Sequence, residues 1–110
     1  MTYPVKIELH QAALSPRAKA RIEAMAGDLE TFFPRILSCT VHVEGPGGHH
    51  RQGEFAVRIN LAVPTRTIVV NRQRKAALND ALAASFDAAA RRLEDHARRI
   101  RGDVKRHAVS

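Results

Sequence analysis

The sequence predicts an α+β domain in the order β-α-β-β-β-α, a four-stranded sheet with two helices packed on one face. Three observations predict it. Four segments alternate apolar and polar residues with a period of two. Two segments space their apolar residues by three and four. Glycine and proline fall between these segments rather than inside them. A chain of 110 residues, without internal repeats or a long linker, makes one domain over 1–110, with an ordered core expected at about 3–104.

The first strand is read from Val5, Ile7 and Leu9 on one side and Lys6, Glu8 and His10 on the other. Ser15-Pro16 opens a helix, because serine can cap a free backbone N–H and proline fits the first helical position. Ala18, Ile22, Met25, Leu29 and one of Phe32 or Phe33 make its apolar stripe, and Pro34 ends it. A second strand places Leu37, Cys39, Val41 and Val43 inward. The glycine-rich run from Gly45 to Gly53 must then be a hairpin loop. Phe55, Val57, Ile59, Leu61 and Val63 mark the third strand, and Thr67 to Asn71 a short fourth. From about Lys75 to near Val104 one long helix carries Leu78, Leu82, Phe86, Ala89, Leu93, Ala97, Ile100 and Val104 inward. The uncovered face of the sheet is expected to show Lys6, His42, Glu44, Arg58 and Asn60 to water.

Charge is unevenly shared. Residues 1–50 hold five Lys/Arg and five Asp/Glu, so the whole net charge of +7 lies in residues 51–110. A basic half beside a neutral half points to a polyanionic partner, nucleic acid or an acidic surface. On the last helix the basic doublets Arg91-Arg92, Arg98-Arg99 and Lys105-Arg106 recur every seven residues. Seven residues are close to two turns, so the doublets stack as two cationic rails with rungs about 10 Å apart. Arginine's planar fork suits phosphate. Acid-to-base pairs Asp87–Arg91, Glu94–Arg98 and Asp95–Arg99 at i, i+4 would consume part of that charge in holding the helix. Four positive charges remain over residues 91–106, and Arg72, Arg74 and Lys75, at the strand-to-helix junction, add to them. The expected RNA-binding residues are Arg72, Arg74, Lys75, Arg91, Arg92, Arg98, Arg99, Arg101 and Lys105.

Other chemistry finds little support. Cys39 stands alone and faces inward, so no internal disulfide can form. His49-His50 with His42 or His10 lack the spacing of a structural zinc site, and no metal or other cofactor is expected. The carboxylates are single and no nucleophile–base pair or phosphate loop appears, so an enzyme with a small-molecule substrate is not expected. Neither a leader nor a membrane-length apolar run is read, which points to the cytoplasm. Five aromatics, mostly in the core, make a base-stacking platform of the RNA-recognition kind unexpected.

Two stretches carry a family resemblance. Leu29-Glu30-Thr31-Phe32-Phe33-Pro34-Arg35-Ile36 resembles the end of the first helix in the ribosome hibernation-promoting factor / ribosome-associated translation inhibitor A family, also called the sigma-54 modulation protein family. Phe86-Asp87-Ala88-Ala89-Ala90-Arg91-Arg92-Leu93-Glu94 resembles its second helix, and length and element order resemble its short form over about residues 3–106. Departures stand at Asp28, where the family has lysine, and at Ala83, where it has tyrosine. The resemblance implies a stress-response factor that binds the small ribosomal subunit and its ribosomal RNA. Binding in the mRNA/tRNA channel would block translation and preserve idle ribosomes. It also implies RNA contacts by Arg91, Arg92, Arg98, Arg99, Arg101 and Lys105. Two alternatives stay open: a general double-stranded RNA-binding module, and a protein-interaction regulator of transcription.

Overall fold

The computed structural model describes residues 3–45 and 53–109, with side chains described as far as Arg101. Its elements are β1 (Val5–His10), α1 (Pro16–Asp28), β2 (Ser38–Glu44), β3 (Phe55–Val63), β4 (Arg66–Lys75) and α2 (Leu78–Val109). One 3-10 turn over Leu29–Thr31 continues α1. The order is the one the alternation predicts. The glycine-rich loop, with His49 and His50, falls largely outside the described residues.

The strands lie side by side in the order β1-β2-β3-β4. β1 runs parallel to β2, and the other two pairings are antiparallel. A parallel pair needs a crossover, and α1 supplies it. Along β2 burial alternates strictly, with Cys39, Val41 and Val43 buried between half-buried polar residues. Val57, Ile59, Leu61 and Val63 of β3 continue the same buried face.

β4 is longer than the alternation predicts, and its register explains why. Ile59 pairs with Val70 but Val57 pairs with Gln73, so Asn71 and Arg72 together oppose the single residue Arg58. This bulge inverts the alternation. Ile68 and Val70 are buried before it, whereas half-buried Gln73 takes the inward place after it. Without the extra residue, Arg72 and Arg74 would follow Ile68 and Val70 into the core layer. Desolvating two guanidinium groups there would cost far more than a local distortion of the ladder.

The helix ends follow local chemistry. Ser15 Oγ accepts from Ala18 N at 3.1 Å, with Pro16 in the first turn. Tyr3 donates its hydroxyl to the carbonyl of Ala26, tying the start of the chain to α1. α2 begins at Leu78, not at Lys75, because Lys75 is still paired with Phe55. α2 packs across β3 and β4 through Ala81, Leu82, Phe86, Ala89 and Leu93. Ser85, fully buried, donates to Val57 O at 3.1 Å and so satisfies its own hydroxyl. Phe33 enters the core and Phe32 does not. Leu9, Leu37 and Ile100, expected inward, are exposed. Leu9 lies one residue from the end of an edge strand, Ile36 takes the core place beside Leu37, and α2 by Ile100 is near the end of its cover.

Candidate nucleic-acid interface

The arginines of α2 divide into three groups by what lies beside them. Arg91 and Arg98 project from the outer surface, with 71% and 65% of their side chains exposed. Arg91 pairs with Asp87, as the i, i+4 spacing predicts. Arg98 Nη2 bonds Asp95 Oδ1 at 2.7 Å, an i, i+3 pair in place of the expected Glu94–Arg98 and Asp95–Arg99 pairs. Residues three apart on a helix are neighbours just as those four apart are, so the choice is a local one. Such exposed pairs hold their partners weakly and leave most guanidinium donors available to a phosphate.

Arg92 and Arg99 form the flank nearest β4. Arg92 is half-buried and its Nη1 donates to Val69 O at 3.0 Å. β4 is an edge strand, and Arg92 satisfies one of its outward carbonyls. Part of the second predicted rail therefore fastens helix to sheet. Arg99 and Arg66 border a small recess at His96. On the opposite flank, Arg98 and Arg101 line an open groove of about 340 Å³ with Thr31, exposed Phe32 and Glu94. Lys105 lies outside the residues whose side chains are described.

The residues expected to enlarge this patch from β4 are placed elsewhere. Arg72 Nη2 meets Glu44 Oε1 at 3.2 Å on the uncovered sheet face, and Arg74 pairs with Ala56 in the same row. The bulge carries both to the far side of the sheet from α2. Lys75 ends the strand, exposed. The uncovered face also holds the pair His42 Nδ1–Glu8 Oε1 at 3.6 Å, and buried Arg58 Nε and Asn60 Oδ1 without hydrogen-bond partners. Burial and the Arg58 charge beside it push the His42 pKa down, with Glu8 opposing.

His96 is the residue that sequence reasoning missed. It is buried, its ring stands edge-on to Phe33 with centroids 5.1 Å apart, and its Nε2 has no hydrogen-bond partner. Burial, then the charges of Arg66 and Arg99, lower its pKa. Its position was readable, because it follows Ala89 and Leu93 at helical spacing on the apolar stripe. Cys39 is buried, and desolvation pushes its thiol up to about 12. Among the described residues no group of three or more His, Cys, Asp or Glu gathers that could hold a metal ion. No described helix is long and apolar enough to cross a membrane.

Comparison with known proteins places this geometry. The sequence model of the family described as sigma 54 modulation protein / S30EA ribosomal protein matches residues 5–101. A ribosomal subunit interface protein from Coxiella burnetii has a similar structure. The TM-score is 0.73 at 11% identity, covering 84% of this chain and 96% of that one. The N-terminal domain of Thermus thermophilus Protein Y gives a TM-score of 0.68 at 12% identity, covering 87% and 97%. At such identities the two structures show a shared fold. No curated protein sequence matches the chain.

Proposed function

Because the chain belongs to the sigma 54 modulation protein / S30EA ribosomal protein family, we propose that it is a ribosome-associated factor that binds the small subunit in the mRNA/tRNA channel. There it inhibits translation and preserves idle ribosomes. The observation that carries this reading is the family match over residues 5–101, nearly the full described fold. It agrees with the resemblance of Leu29–Ile36 and Phe86–Glu94 and with the fold shared with the Coxiella and Thermus proteins.

On this reading, the contact with ribosomal RNA is made by α2. Arg91, Arg98 and Arg101 present exposed guanidinium groups along its outer surface, and Arg92 and Arg99 line the flank toward β4. Lys105, whose side chain lies outside those described, is included from the sequence alone. Phosphate contacts and shape then outweigh base readout. Arg72 and Arg74 belong to a different face, so any contribution from them is separable from that of α2.

Cosedimentation with purified small and large subunits tests the reading. The protein should follow the small subunit, be displaced by mRNA and tRNA together, and slow translation in a reconstituted system. Equal binding to plain duplex RNA would favour a general duplex binder. Nuclease-resistant copurification with a protein, without ribosomes, would favour a transcriptional role.

A further inference from the structure

His96 is a polar group whose burial the packing does not explain. An apolar ring would fill the same place against Phe33, and an unsatisfied buried polar atom costs roughly 1–3 kcal/mol. Its Nε2 is unpartnered and closed to solvent, and the residue lines a recess of about 30 Å³ between β4 and α2. That volume is enough to admit a water-sized group. Around it stand Arg66 from β4 and Arg92 and Arg99 from α2. Asp95 is the one acidic residue lining the recess, and its carboxylate is engaged by Arg98. The ring of Phe33 brings no charge. Three arginines therefore line one recess with a neutral imidazole, on the flank of the helix assigned to RNA.

We propose that this recess seats one phosphodiester group of the RNA backbone. One non-bridging oxygen enters the recess beside the His96 ring. Arg66, Arg92 and Arg99 hold the rest of the phosphate at the mouth. Arg92 gives one N–H to Val69 O, which leaves other donors of its five for the anion. The seat rests on the RNA-binding reading above and names two residues, Arg66 and His96, that the charge pattern of α2 does not include. A seated anion favours the protonated ring, so the His96 pKa rises on binding, against the lowering by burial and the arginines.

The test is an NMR titration of the histidine ring resonances, with His96 identified by the signal lost in His96→Phe. The full chain is titrated with a short unpaired ribo-oligonucleotide and, separately, with inorganic phosphate. Both should move the His96 signals and raise their pH midpoint. His96→Phe and Arg66→Ala should each weaken oligonucleotide binding about tenfold. Arg66 is exposed, so its variant keeps the fold even if His96→Phe does not. His96 signals unmoved by either probe would mean that water alone fills the recess, and the proposal falls. Movement with phosphate but not oligonucleotide would make it a seat for a free anion, which overturns the backbone assignment. Subunit cosedimentation is read separately. A chain that ignores ribosomes while oligonucleotide moves His96 loses the ribosomal reading and keeps the seat.

Discussion

Replacing Arg91, Arg98 and Arg101 together by alanine isolates the outward charge of α2 from its structural arginines. Arg92 is left in place because it holds the β4 carbonyl of Val69. Two of the three arginines take part in exposed ion pairs, with Asp87 and Asp95. Such pairs contribute at most about 0.5 kcal/mol each, and alanine's helix propensity offsets part of that. The variant should therefore unfold within about 1 kcal/mol of the wild type. Binding responds quite differently. Each phosphate contact releases counterions with a slope of roughly 0.7–0.9 in log K against log salt. Losing three contacts lowers the slope by about 2–3, which at 0.1 M salt corresponds to binding weakened roughly a hundredfold or more. The assay is cosedimentation with small subunits across a salt series, beside denaturant unfolding. Arg72→Ala/Arg74→Ala, on the opposite sheet face, should change the slope by less than about one contact. If the triple variant keeps the wild-type slope, the exposed surface of α2 is not the contact. If the β4 pair lowers the slope as much, the face has been assigned wrongly.

Three further outcomes follow from buried groups. His96 has a lowered pKa in the fold, so the unfolded chain takes up the proton first, and stability falls as pH drops below the ordinary histidine value of 6.5. His96→Phe should lose less stability between pH 7.5 and 5 than the wild type, read as the shift in urea midpoint. Gly45 approaches the backbone of Gln11 so closely that a Cβ would lie 1.9 Å from Gln11 O. Gly45→Ala should cost about 1–3 kcal/mol in urea unfolding, through the displaced Gly45 N–His10 O bond of 2.8 Å. Cys39 is 1% exposed with its thiol pushed up to about 12. It should resist thiol reagents at pH 8 until denaturant opens the core.

The parts of the fold legible in the sequence are those where one local rule acts alone. Val41 and Val43, or Leu82, Phe86 and Leu93, repeat at the period of a single element and all are buried. Ser15-Pro16 states its own cap. The fourth strand defeated the same method, because a bulge changes the parity of alternation after Val70 and the pattern reads as an ending. That misreading also placed Arg72 and Arg74 beside α2. His96 was visible on the stripe at helical spacing, but its meaning came from Arg66, thirty residues earlier, which only the sheet brings to it.

The sequence by itself determined the element order, the amphipathic faces and the surplus of positive charge on the last helix. Each is a property of neighbouring residues and their spacing. The tertiary structure alone decided which arginines share a face. Register across β3 and β4 turned Arg72 and Arg74 away, fixed Arg92 on the edge of β4, and closed Arg66 and Arg99 around His96. Strand pairing and helix packing join residues far apart in the chain. A basic run reports how much charge there is, and the packed fold reports where it points.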